Sequence, residues 1–244
     1  MSILCWNCRG CSRQGFLSQP TFFRTLMVFD VLCLVDTMID EDTSKNLVTK
    51  LPFCNYFCVP PVGHSGGLLL LWNSDYGISI LSSHPKFIHC KFQDVCSTTP
   101  WLVTFLYMFP HKHQQQDLWN ELVHLQVHSQ EPWFIMGDFN CILHLKEKRR
   151  GSNFVDRYII QFRPLLNRLG MISLSFSGNL FTWKNKQQLS TRICERLDRV
   201  VPNSAAFTLF RLSICITYLL LGPIMDLFIL LLTLLLLGKE KLLN

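Results

Sequence analysis

The feature that most constrains this chain is a recurrence of short apolar runs, each closed by turn residues. Runs bounded this way predict buried strands. They lie at Ile3–Asn7, Val31–Val35, Tyr56–Val59, Gly67–Trp72, Ile78–Leu81, Phe87–Phe92, Leu102–Tyr107 and Trp133–Gly137. Pro60-Pro61, Asn73-Ser74-Asp75 and Ser97-Thr98-Thr99-Pro100 supply punctuation between them. Helical spacing occurs twice. Leu118, Trp119, Leu122 and Leu125 share a face over Gln115–Val127, and Ile159, Phe162, Leu166 and Leu169 share one over Asp156–Leu169. Pro164 is expected to bend or delay the second of these. A shorter helix around Thr21–Phe29 leads into the second strand. Many strands with few helices predict an α/β chain of two packed sheets flanked by helices, not a doubly wound nucleotide fold.

A length of 244 residues allows one large α/β domain or two small ones. With 49% hydrophobic and 16% charged residues the chain is not a disordered one. The net charge of +6 is compatible with a polyanionic partner but does not select one. Residues 1–15 hold Arg9 and Arg13 and no continuous apolar core, so no secretory signal is read there. The eleven cysteines are odd in number and scattered, which favours reduced, buried thiols. Cys5, Cys8 and Cys11 stand at CxxCxxC spacing. They lack the fourth cysteine of an iron–sulfur run, the second pair of a zinc site and the helix start of a redox CxxC. Asn7, between those sulfurs, is the residue left to carry chemistry.

Polar side chains close several of the predicted strands. Asn7 ends the first, Asp36 the second, and Gly137-Asp138-Phe139-Asn140 the run from Trp133; Asp198 sits in Glu195-Arg196-Leu197-Asp198-Arg199. Taken singly, each is an ordinary turn former. Together they are the oxygen donors that a hard cation and a phosphate need, with a spare carboxylate to orient water.

Their order along the chain carries a resemblance. Trp6-Asn7-Cys8-Arg9-Gly10, Asp36-Thr37, Ser65-Gly66-Gly67-Leu68, Gly137-Asp138-Phe139-Asn140, Glu147-Lys148-Arg149, Gly178-Asn179-Leu180-Phe181-Thr182-Trp183 and Glu195-Arg196-Leu197-Asp198-Arg199 follow one another. The set resembles the endonuclease/exonuclease/phosphatase superfamily, and most of all the endonuclease domain of plant non-LTR (LINE-type) retrotransposons. The resemblance implies a four-layered sandwich of two mixed β-sheets flanked by helices, and Mg2+-dependent nicking of DNA, with Mn2+ as the alternative ion and no small-molecule cofactor. It implies Asn7 and Asp36 at the metal, Tyr107 and Asn140 at the phosphate, and Asp138 orienting or deprotonating water. Asp198 matches the Asp that orients a catalytic His, and Thr182 a phosphate-side hydroxyl. Asn179, Arg9, Lys148 and Arg149 are the expected DNA contacts. A monomer is expected, in the nucleus if it follows the family.

Two departures stand out. Asp36 occupies the place of a metal-binding Glu and is shorter by one methylene. The closing Ser-Asp-His is absent, and no histidine follows His144. Residues 1–210 therefore read as an incomplete domain and 211–244 as an apolar tail, nearly continuous from Leu212 to Gly238. The codons for Gly222 to Leu227 are compatible with Ser-Asp-His-Gly-Pro in another frame, so a frameshift between about residues 205 and 216 accounts for the tail. Taken at face value, residues 212–238 are instead a membrane-crossing candidate, which would locate the protein at a membrane. The inherited activity is accordingly expected to be weak or lost. The rival readings are a non-catalytic DNA- or partner-binding relic and a membrane-tethered phosphodiesterase.

Overall fold

The computed structural model describes residues 1–11, 29–63, 65–73, 76–94, 99–127, 131–151, 157–185, 187–188, 190–221 and 226–236. The first half of the chain forms β1 (Ser2–Asn7), β2 (Val31–Val35), α1 (Glu41–Val48), β3 (Asn55–Val59), β4 (Leu68–Trp72), β5 (Tyr76–His84), β6 (Phe87–Asp94) and β7 (Trp101–Tyr107). The second half forms α2 (Gln115–Val127), β8 (Trp133–Asp138), β9 (Lys148–Arg149), α3 (Arg157–Arg168), β10 (Phe176–Gly178), β11 (Trp183–Lys184), β12 (Cys194–Glu195), β13 (Asp198–Pro202), α4 (Ser204–Leu209), β14 (Phe210–Leu221) and β15 (Asp226–Leu236). The helix expected over Thr21–Phe29 lies, but for its last residue, outside the described residues.

Two mixed sheets result. One runs β10-β14-β15-β1-β2-β4-β3 and the other β13-β8-β7-β6-β5, with a small third sheet β11-β12-β9 beside them. The sheets pack face to face through Ile3, Cys5, Val31, Cys33 and Leu70 on one side and Cys90, Phe92, Trp101, Val103, Phe105 and Phe134 on the other. Trp101 anchors this layer, with ring centroids 4.5 Å from Phe92, 5.7 Å from Phe134 and 5.2 Å from Phe210. Each such pair contributes about 0.5–1.5 kcal/mol beyond simple burial. The outer face of the five-stranded sheet packs Leu102, Leu106, Trp133 and Ile135 against Leu118 and Leu122 of α2 and Phe162 and Leu166 of α3. Leu4, Trp6, Leu32 and Leu34 pack with Leu47 of α1 on the outer face of the other. Helix, sheet, sheet, helix is the expected four-layered sandwich.

The helix α3 runs through Pro164 without breaking, because Pro164 is exposed on the outer face while Phe162, Leu166 and Leu169 hold the inner one. The described part of the apolar run 212–238 is not a loose tail. It forms β14 and β15, a hairpin inserted between β10 and β1, with Trp6 opposite Ile229. Among the described residues no helix is long and apolar enough to cross a membrane, and the described residues of the stretch expected to do so are strands.

Candidate active site

The site forms where strands of both sheets end along one edge. Strands β1 and β2 are parallel, with Asn7 opposite Val35, so Asp36 follows one residue beyond. Strands β7 and β8 are also parallel and bring Tyr107 opposite Asp138, while the antiparallel β13 sets Asp198 opposite Asp138 from its other side.

Backbone conformation at these ends is unusual. Arg9, Asp36, Met38 and Asn140 have φ of 49, 58, 52 and 47°. Left-handed geometry of this kind is most tolerable for Asp and Asn, whose short polar groups bond locally. Asp36 uses it to accept Gly66 N–H at 2.8 Å through Oδ1, and Asn140 uses it to donate its N–H to Asp138 Oδ1 at 2.8 Å. Gly137 has φ +135°, and a side chain there would run into the Leu106 carbonyl of the neighbouring strand. The glycine of Gly137-Asp138-Phe139-Asn140 thus serves the β7–β8 approach.

Asp138 is the centre of the cluster. Its Oδ2 accepts from Asn7 Nδ2 at 2.7 Å, joining the two sheets. Burial, and then the Asp198 carboxylate, push Asp138 up to about 8 against the opposing pull of Asn140, Arg9 and Asn7. Burial also pushes Asp198 up to about 6, opposed by the Thr182 side chain and by Arg9, Arg196 and Arg199. The Thr182 hydroxyl accepts from Leu197 N at 2.9 Å and Asp198 N at 3.0 Å, so it holds the start of β13. Tyr107 is held well above the ordinary phenol range by burial, then by Asp36 and Asp138.

The structure therefore brings Asn7, Arg9, Asp36, Tyr107, Asp138, Asn140, Thr182 and Asp198 into one neighbourhood. The Asn140 amide donates to the Met108 carbonyl at 2.7 Å, which fixes its orientation and leaves its oxygen for other partners. Asn179, Lys148 and Arg149 belong elsewhere, around the small third sheet. Lys148 pairs with Glu195 at 2.9 Å, Arg149 lies 5.3 Å from the Phe181 ring centroid, and Asn179 accepts from Phe181 N at 3.1 Å. Arg149, Asn179, Phe181, Trp183, Lys184 and Arg192 line a cavity of about 360 Å³ there.

Sequence reasoning missed Lys86, which is buried with its ammonium 4.6 Å from the Tyr107 ring centroid. A lysine in the turn before an apolar strand gives no signal that distinguishes it from a solvated one. Sequence reasoning also missed a structural pair: Glu147 and Arg199, joined at 3.0 Å in the core.

A divalent ion fits this donor set in a limited way. Asn7 Oδ1 is a buried oxygen with no hydrogen-bond partner, and Asp36 Oδ1 accepts from Gly66 while the Asp36 carboxylate also interacts with the Tyr107 side chain. No cluster of three or more His, Cys, Asp or Glu among the described residues could cage an ion by itself. Magnesium bound through one or two carboxylates together with substrate phosphate needs no such cage.

The comparisons agree with this architecture. A search of curated proteins finds no match. Among solved structures, the endonuclease domain of TRAS1, a telomere-specific non-LTR retrotransposon, aligns with TM-score 0.66 at 11% identity, over 97% of this chain and 99% of that one. The AP endonuclease LMAP from Leishmania major aligns with TM-score 0.72 at 13% identity, over 95% and 87%. The 3′ phosphatase NExo from Neisseria, bound to a product DNA hairpin, aligns with TM-score 0.68 at 14% identity, over 96% and 99%. Likeness at these identities concerns the fold. The sequence pattern of the Endonuclease/Exonuclease/phosphatase family, however, matches residues 4–220, and the chain belongs to that family.

Proposed function

We propose that this protein is a Mg2+-dependent phosphodiesterase that nicks DNA, with activity reduced by the loss of its last catalytic motif. The observation that carries the reading is Asp138. It is a buried carboxylate gripped by Asn7 and Asn140, raised to about 8, at an edge shared with Asp36 and Tyr107. A base poised near neutrality is suited to taking a proton from water as that water attacks phosphorus. As the water oxygen bonds to phosphorus its proton passes to Asp138, the opposite P–O bond breaks, and the leaving oxygen keeps that electron pair and takes a proton from solvent. Asn7 and Asn140 keep the accepting oxygens fixed through this transfer. Tyr107, held protonated, can donate to a phosphate oxygen. Asp36 and Asn7 Oδ1 would hold the ion, which supplies positive charge against the phosphate when bound.

The family membership and the DNA-processing neighbours support this reading. The test is conversion of supercoiled plasmid to open circle with Mg2+, compared with EDTA and with Asp138→Ala. Nicking by the wild type that survives in Asp138→Ala would reject the assignment.

The absent histidine favours a second reading, a DNA-binding relic without catalysis. Asp198, the residue that should orient it, faces Asp138 with no histidine after His144 to meet it. Salt-sensitive, Mg2+-independent DNA binding with no nicking would select that reading.

A further inference from the structure

Lys86 follows Pro85 in the turn of the β5–β6 hairpin, a place where a lysine ordinarily reaches into water, yet it is only 5% exposed. Its carbonyl accepts Tyr107 N–H at 2.8 Å, which draws the turn onto the end of β7. Its ammonium lies 4.6 Å from the Tyr107 ring centroid and 4.8 Å from that of Phe109. A Cβ built on Gly66 would stand 3.3 Å from the same nitrogen, so the loop over Gly66 is moulded to the ammonium. Asp36 and Asp138 both act on Lys86 electrostatically, yet it has no ion-pair partner among the described residues. A buried ammonium cradled by two rings and a glycine, with carboxylates near but none bonded, is a cation short of an anion.

We propose that Lys86 is a phosphate-binding residue of this site, its ammonium meeting a non-bridging oxygen of the substrate phosphodiester. It supplies the cation that the missing histidine would have placed against the phosphate. The proposal rests on the phosphodiesterase reading above and adds to it a residue outside the motifs of that reading.

The experiment compares the full-length wild type with Lys86→Met and Lys86→Arg. Binding to a DNA duplex is measured by anisotropy in EDTA across a salt series. Lys86→Met is expected to bind about tenfold more weakly, with a salt slope lower by about one, and Lys86→Arg to retain most of the affinity. Equal affinity and slope in Lys86→Met overturns the proposal. If the wild type does not bind DNA, the DNA reading fails, and the lysine is judged by inorganic phosphate. Phosphate at matched ionic strength should raise the melting temperature of the wild type and not of Lys86→Met. An equal shift, or none in the wild type, overturns the proposal. Should Lys86→Met not fold, acetylation of the wild type mapped by mass spectrometry decides the matter. Phosphate protects Lys86, or the rate is unchanged and the proposal is wrong.

Discussion

Asp138 and Asp198 face each other directly across the β8–β13 pair, both buried, each raising the cost of ionising the other. Two carboxylates at adjacent strand positions would be a fault in an ordinary core. Here Asn7, Asn140, Thr182 and Arg9 are arranged around them and offset part of that cost.

The pair makes stability depend on pH in a defined direction. The folded value of Asp138 lies near 8 against an ordinary 3.8, so the folded state holds a proton that the unfolded chain releases. Its stabilising contribution is complete below about pH 4 and is lost as pH rises to about 8. In EDTA the melting temperature is expected to fall between pH 5 and 8.5. In Asp138→Asn that fall should be much reduced, with a gain of about 1–3 kcal/mol at pH 8. A pH profile unchanged by the substitution would show that Asp138 ionises freely in the fold.

Asn7 bonds Asp138 across the two sheets, and its removal leaves a buried carboxylate short of one donor. Loss of a hydrogen bond to a charged group costs about 1.5–3 kcal/mol. Asn7→Ala is expected to lower the nicking rate about 10- to 100-fold, with the far-ultraviolet circular dichroism spectrum unchanged. A rate equal to wild type would remove Asn7 from the machinery.

Restoring the lost motif should restore rate. Leu221 and Asp226 stand opposite each other at the ends of β14 and β15, and the alternative reading frame spells Ser-Asp-His over the codons between them. Translation of the 3′ end in that frame is expected to raise Mg2+-dependent nicking by a factor of 10 or more. Adding Asp36→Glu should lower the Mg2+ concentration for half-maximal rate. No gain from either change would sink the frameshift account.

The Glu147–Arg199 pair is a structural element and gives a separate test. Arg199 donates to Glu147 Oε2 at 3.0 Å, and also to the Cys141 and Arg196 carbonyls at 3.0 Å each. Burial alone would raise Glu147, but Arg199 and the backbone N–H groups outweigh it and hold the carboxyl below its usual range. Glu147→Ala strands a buried guanidinium and is expected to destabilise by about 3–5 kcal/mol in urea unfolding. A loss below about 1 kcal/mol would mean that the arginine finds water instead.

Much of the fold was legible before any coordinates. All eight apolar runs became strands, and Val31–Val35 and Gln115–Val127 kept their predicted ends. β5 runs past its predicted end because Ser82, Ser83 and His84 are polar yet continue an edge strand with one face in solvent. α1 escaped notice because only Ser44 and Leu47 of its eight residues are buried, so no apolar stripe marks it. Its signal was the cap, where Asp40 accepts from Thr43 N at 2.8 Å. The pairs β9, β11 and β12 are two residues each, too short for any period to show. The apolar run after residue 211 was legible as apolar but not as β14 and β15, since continuous hydrophobicity suits a membrane helix and a covered strand alike.

By itself the sequence marked eight of the strands and several of the polar residues that close them. Asn7, Asp36, Asp138 and Asp198 were marked as polar residues at the ends of apolar runs, because apolar runs and turn chemistry are local properties, whereas Tyr107 was marked by the family resemblance alone. Only the tertiary structure decided which of these ends face one another. The Asp138–Asp198 register, the reach of Asn7 between sheets and the burial of Lys86 under Gly66 each join residues far apart in the chain. They are set by sheet order and by the packing of two faces, and no local pattern encodes which side chain a folded neighbour will meet.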